Sequence, residues 1–367
     1  MRAIRMWSAA AALSAALAVF APLSDADTFS LTSPSPATCV TDGGAVFTVE
    51  AGALKPVRGQ FMIFPPGAQA LHPRTGISVE GQPGELLRMY LWSSEPLDSF
   101  TVQIGIPGKS ILTKTAGFRS DVCGGTEMWA ALAGLPSWGA AGEYTVTATA
   151  TSGKRSYLFL QPFAVIARTF FAERIPLNTG LTDLVTVPDA QKREESRILA
   201  EVLSTPHPDA LYDTGKFTLP IRGRRSSGYG DRREYDYSDG TKGYAIHLGV
   251  DIPSPIGTPV PSCGKGRVVF SDNRILTGNT VVIEHLPGLF SVYYHLFSIA
   301  VRTGDVVEQG QVIGAVGMTG FATGPHLHWE VDETGVAVDP DALVGVPLLD
   351  KNTDFFDIEA AHDTEGR

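Results

Sequence analysis

The stretch Gly320-Phe-Ala-Thr-Gly-Pro-His-Leu-His-Trp-Glu-Val331 decides how the C-terminal half of this chain is read. Thr-Gly-Pro, ending at Pro325, is a turn that forces an extended backbone where it stops. If residues 327–331 form a β-strand, its period of two puts His326 and His328 on one face, with Leu327 and Trp329 on the other. Two imidazoles about 7 Å apart along a strand can share a metal site. One binds the ion and the other stands over whatever the ion holds.

Outward from this stretch, the chain from Phe217 onward alternates short β runs with glycines. Residues 257–260, 264–271, 280–285, 291–295 and 311–315 read as strands, punctuated by Gly240, Gly249, Gly278, Gly288, Gly304, Gly310 and Gly317 among others. With no amphipathic helix among them, they predict an antiparallel sheet folded into a trough or partial barrel. Five histidines fall here: His247, His285, His295, His326 and His328. The spacing His247-x-x-x-Asp251 is weak alone, since about one such pair is expected by chance at this composition. The rarer His-x-His and the gathering of these residues in one Gly-rich β region carry the signal. Neutral imidazoles and a carboxylate suit zinc, and three protein ligands leave a fourth position for water, the pattern of a catalytic centre. The residues thus predict a site of two histidines and one aspartate: His247, Asp251 and either His326 or His328. Cys39, Cys123 and Cys263 do not cluster as a structural thiolate site would.

Several further segments occur in one order with these. They are Ser227-Gly-Tyr-Gly-Asp-Arg232, His247-Leu-Gly-Val-Asp251, Gly257-Thr-Pro-Val260, Tyr294-His295-Leu296, Gly304-Asp-Val-Val307, Gly310-Gln-Val-Ile-Gly314, Gly317-Met-Thr-Gly320 and Thr323-Gly-Pro-His-Leu-His328. Together they resemble the LytM/lysostaphin-type zinc metallopeptidases, family M23, over about residues 217–340. The resemblance implies one Zn²⁺ per chain on His247, Asp251 and His328, with His295 and His326 as non-ligating catalytic histidines. It places Tyr229 and Arg232 on the substrate side, and leaves His285 to shape the groove or pack against a strand. The chain departs from the family's usual residues at Tyr229, Trp329 and Cys263, none of which removes a ligand.

The rest of the chain is read around that site. At 367 residues it is long enough for two domains, and 43% hydrophobic with 19% charged residues is the balance of a globular protein. A net charge of −10 argues against non-specific nucleic-acid binding. Residues 1–25 have the form of a secretion signal: Arg2 and Arg5, an apolar run, then small residues. No later stretch is long and apolar enough to span a bilayer, so the mature form is expected to have no stable membrane span. Residues 28–167 predict a β-sandwich of Ig-like type, from short Val/Thr/Phe/Tyr runs at 45–50, 60–63, 86–92, 99–104, 143–150 and 156–165. In an exported protein Cys39 and Cys123 can form one disulfide there, leaving Cys263 single and buried. His72 reads as a surface loop residue. Residues 168–215 form a connector whose helix spans 190–203, capped by Asp189 and presenting Ile198, Leu199, Val202 and Leu203. Residues 216–345 are the peptidase-like domain, and 346–367 an acidic tail.

The fold expected is therefore mostly β: an N-terminal sandwich, a short helical connector and a Gly-rich antiparallel β metallopeptidase domain. The function expected from resemblance and export is a zinc endopeptidase cutting peptidoglycan stems or crosslinks, in the periplasm or at the cell wall. The alternative is a non-catalytic envelope module that binds peptidoglycan or activates a partner hydrolase, and a third reading is an extracellular peptidase acting on proteins. The N-terminal domain is a candidate contact for an envelope protein partner.

Overall fold

The structure is a computed structural model. It describes residues 79–349 apart from 94, 95, 124, 125, 154, 213 and 214, together with strands at 46–48, 56–57 and 61–64. The signal-like segment, Cys39, His72 and the tail beyond residue 349 lie outside the described residues, and with Cys39 so does the Cys39–Cys123 pairing. Among the described residues no helix is long and apolar enough to cross a membrane.

The chain is mostly β, in antiparallel sheets with few parallel pairings. Two sheets form the N-terminal sandwich. One carries Arg155–Val165, Gly142–Ser152, Ser99–Ile106 and Ser110–Ala116 in that order; the other carries Phe61–Phe64, Leu86–Ser93, Thr126–Gly134 and Phe118–Cys123. Alternation along each strand sends Val102, Ile104, Val146, Ala148 and Phe163 into a shared core with Leu87, Met89 and Leu91. Leu86 and Tyr90, pointing the opposite way, pack with Trp329, Val338 and Leu343 of the C-terminal half. Thr126–Gly134 does the same, placing Ala131 and Ala133 in the first core and Met128, Ala130 and Leu132 in the second.

Between the halves, the expected helix is Ala190–Ser204, with Asp189 accepting from the backbone N–H groups of Gln191 and Lys192. Leu199 and Leu203 bury against Val282, Phe290, Val292 and Tyr294. The connector holds more than was expected from sequence. A helix Thr179–Thr186 precedes this one, and Ala172–Pro176 is a strand pairing parallel with Arg232–Asp236, which pairs in turn with Lys242–Ile246. These charged, half-exposed strands lack the apolar alternation that marks a strand in sequence.

The C-terminal half is built on a seven-stranded sheet ordered Val250–Pro253, His326–Glu333, Leu289–Leu296, Gly278–Leu286, Gly266–Arg274 and Val306–Val307, with Val336–Val338 also paired to the second. A small sheet of Pro259–Pro261, Val312–Ala315 and Ser298–Ile299 folds beside it. Leu327, Trp329 and Val331 are fully buried on the core face, which leaves His326 and His328 to the other. His285 is buried away from that face. Its Nδ1 lies 2.8 Å from the Lys265 carbonyl and its Nε2 2.7 Å from Ser291 Oγ, with its ring edge-on to Phe217, so its role is packing.

Candidate metal centre and active site

The site begins with a register. Asp251 and His328 are direct partners across the antiparallel pair Val250–Pro253 and His326–Glu333. His247 reaches them from the turn ahead of Val250, held by its N–H to the Asp231 carbonyl at 2.9 Å. That turn needs Gly249, where a Cβ would lie 2.3 Å from the Trp329 carbonyl oxygen and 2.9 Å from His328 Nε2. The structure thus brings His328 onto a pair, His247 and Asp251, that lies 77 or more residues earlier in the chain.

Their donor atoms meet at one point. His247 Nε2 is 3.1 Å from Asp251 Oδ1 and 2.9 Å from His328 Nδ1, and His328 Nδ1 is 2.9 Å from Asp251 Oδ1. All three residues are buried. A tetrahedral ion with bonds of about 2.0–2.1 Å spaces its ligand atoms about 3.3 Å apart, so a small outward shift admits a zinc-sized ion. The second nitrogen of His247 is already committed, Nδ1 donating to the Gly228 carbonyl at 2.7 Å, so Nε2 presents its lone pair. His328 Nε2 is buried without a hydrogen-bond partner, its nearest carboxylate oxygen being Glu330 Oε2 at 3.5 Å. Two nitrogens and one oxygen suit zinc better than an oxygen-seeking calcium or magnesium ion.

The electrostatics ask for positive charge at this point. Burial disfavours a charged His328, yet the Asp251 and Glu330 carboxylates outweigh it and push the group up to about 9. Burial likewise opposes an ionised Asp251, but the His247 and His328 rings hold it well below the usual carboxylate range. The other carboxylate oxygen, Oδ2, accepts from Arg233 Nη2 at 2.6 Å.

Two further histidines complete the layer. His295 Nδ1 donates to the Thr319 carbonyl at 2.8 Å, and His326 Nδ1 to the Gly324 carbonyl at 2.8 Å. Each therefore offers Nε2 to the cleft. Their rings are 4.8 Å apart, and His326 Nε2 is 3.5 Å from Asp251 Oδ1. His295 is buried, which together with the neighbouring His326 and His328 lowers its pKa to about 3 and keeps the ring neutral. Its backbone is left-handed at φ 60°, a conformation a non-glycine residue adopts at a cost.

All four histidines line a cleft of about 500 Å³, whose opposite wall is the connector, through Val185, Val187, Pro188 and Arg193. Tyr229 and Arg232, expected on the substrate side, are turned the other way. The Tyr229 hydroxyl donates to the Ala337 carbonyl at 2.8 Å. Arg232 donates to the Ser137 carbonyl at 2.7 Å and stacks on Phe170 at 4.6 Å, joining the N-terminal sandwich to the C-terminal half, and Gly84 of the sandwich packs against the Tyr229 ring. Arg233 and Glu330 were not singled out from sequence. Each carried a signal: Glu330 follows His326 and His328 at the same period of two, and Arg233 must face opposite its neighbour Arg232 along a strand.

The sequence model of peptidase family M23 matches residues 245–340. The peptidoglycan DD-endopeptidase ShyA of Vibrio cholerae is 42% identical over 116 residues, 32% of this chain and 26% of that protein. The DD-carboxypeptidase/endopeptidase Mpg of Neisseria meningitidis is 40% identical over 97 residues, 26% of this chain and 22% of that protein. The match thus spans about a quarter of the length of these relatives. A solved structure described as a putative peptidase M23 from Pseudomonas aeruginosa aligns over 72% of this chain and 94% of its own, at 24% identity and a TM-score of 0.47. Residues 245–340, which hold all three converging donors and both cleft histidines, are a peptidase family M23 domain.

Proposed function

We propose that this chain is a zinc-dependent endopeptidase that hydrolyses peptide bonds in peptidoglycan stems or crosslinks, acting outside the cytoplasmic membrane. The observation that carries the reading is the convergence of His247 Nε2, Asp251 Oδ1 and His328 Nδ1 within 3.1 Å of one another at the floor of an open cleft. The family match and the name of ShyA, a peptidoglycan DD-endopeptidase, support the substrate class. A zinc ion bound there supplies Lewis acidity to the scissile carbonyl and lowers the pKa of a water.

The chain's own residues do the rest. His247, Asp251 and His328 fix the position of the electrophilic centre. His295 and His326 have Nδ1 tied to the main chain, so both present Nε2 where a proton must move. One takes the proton of the attacking water, and the other stabilises the charge developing on the carbonyl oxygen or protonates the leaving amine. The chain has no His-Glu-x-x-His segment, so a helix-borne glutamate base is absent from this scheme. Asp251 is held ionised and is spoken for by Arg233, which leaves the imidazoles as the groups free to exchange protons.

Mass spectrometry of fragments released from purified peptidoglycans of different crosslink chemistry tests the reading and names the bond. New amine and carboxyl termini within the peptides, lost with chelator and restored by Zn²⁺, are expected. Binding to the sacculus without any cleavage would favour a non-catalytic envelope module instead.

A further inference from the structure

We propose that Glu173 and Arg233 are positioning residues that lock Asp251 in its ligating orientation, so that the connector strand Ala172–Pro176 helps set the affinity of the metal centre. The proposal rests on the zinc reading above and concerns residues outside the matched domain at 245–340.

The two side chains are cross-strand partners in the parallel pairing of Ala172–Pro176 with Arg232–Asp236. Arg233 Nε donates to Glu173 Oε1 at 2.6 Å, and Arg233 Nη2 to Asp251 Oδ2 at 2.6 Å. Ser227 closes the loop: its hydroxyl donates to Glu173 Oε1 at 2.8 Å, while its carbonyl accepts the Asp251 N–H at 3.0 Å. The oxygens of Asp251 are therefore divided. Oδ1 faces His247 and His328, and Oδ2 is held by a charge-assisted bond to a guanidinium that is itself held from behind. Rotation of the carboxylate breaks that bond, so Asp251 is kept to one oxygen toward the ion.

Charge gives Glu173 a second task. A guanidinium touching a ligand stands close to any divalent cation bound on the other oxygen, and repels it. Glu173, paired with Arg233, offsets that charge from the side away from the ligand. Outer partners of this kind typically change metal affinity by ~10–100-fold. A fragment starting at residue 216 would lose Glu173 and leave Arg233 facing the ion alone.

The test uses the full chain, stripped by chelator, with Glu173→Gln, Glu173→Asp and Arg233→Lys beside the wild type. Zn²⁺ affinity is read by competition with a chromophoric chelator, and ligand geometry by the visible spectrum of the Co²⁺-loaded protein. Glu173→Gln and Arg233→Lys are expected to weaken Zn²⁺ binding by ~10-fold or more and to alter the Co²⁺ bands. Glu173→Asp should recover part of the loss. Wild-type affinity and bands in Glu173→Gln and Arg233→Lys, with or without a lower melting temperature, overturn the proposal while leaving the zinc reading intact. If Arg233→Lys fails to fold, the two Glu173 variants decide alone. A wild-type chain that takes up no Zn²⁺ overturns both.

Discussion

His295 holds a left-handed backbone at φ 60° and is tied through Nδ1 to Thr319. Such a position is easier for glycine than for any residue with a Cβ, by roughly 1 kcal/mol. His295→Gly is therefore expected to melt above His295→Ala, although both lose the imidazole; the metal-free proteins compared by calorimetry check this. Both variants should retain zinc while hydrolysis falls by ~10²–10⁴-fold, the usual worth of a proton-transfer group. His247→Ala and His328→Ala should lose metal and hydrolysis together, as zinc content measured beside turnover would show. At this scale the sequence was informative because donor chemistry is local: His-x-His on a strand fixes which face the rings take. The orientation of Tyr229 and Arg232 was not legible, since it depends on Ala337 and Ser137, contacts 108 and 95 residues away.

The strand His326–Glu333 does two jobs along its length. Its first residues face the cleft, whereas Glu333 accepts from Thr115 Oγ1 at 2.8 Å and from the Gly134 N–H at 3.2 Å on the N-terminal sandwich. Burial raises the Glu333 pKa from its ordinary value near 4.5 to about 7, against the lowering effect of those hydrogen bonds. A carboxyl whose pKa is raised on folding favours the folded state when protonated. Its contribution is full below the unfolded value and is lost as pH climbs through about 7. Melting temperatures from pH 5 to pH 8 should therefore fall more in the wild type than in Glu333→Gln, by the equivalent of up to about 3 kcal/mol. A wild-type profile parallel to that of Glu333→Gln would remove the effect. Elements with a wet face, such as Gly142–Ser152, were legible from alternation. Thr126–Gly134 was not, because Met128, Ala130 and Leu132 bury on one side and Ala131 and Ala133 on the other, which erases the period.

Across the whole molecule, the two halves share one apolar cluster, in which Leu86, Tyr90, Phe118, Met128 and Leu132 pack with Trp329, Val338 and Leu343. The N-terminal sandwich is thus seated against the back of the sheet that carries the site, and Arg168 adds an ion pair to Asp339 at 2.5 Å. Removing residues before 168 would expose that surface at a cost on the order of 5 kcal/mol or more. The shortened chain should melt well below the full one and bind a hydrophobic dye; unchanged melting would show that the halves are independent. Composition and strand spacing indicated two β regions joined by a helix, but long-range packing of this kind has no signature in local pattern. On the proposed function, a single ion on His247, Asp251 and His328 powers hydrolysis of crosslinked peptides. The most direct test is titration of the metal-free full chain with Zn²⁺ while the cleavage rate of purified crosslinked muropeptides is followed. The rate should start at background, rise linearly and level off at one equivalent, with no rise in His328→Ala. Undiminished cleavage by the metal-free chain, or a rise with zinc that His328→Ala reproduces, would contradict it.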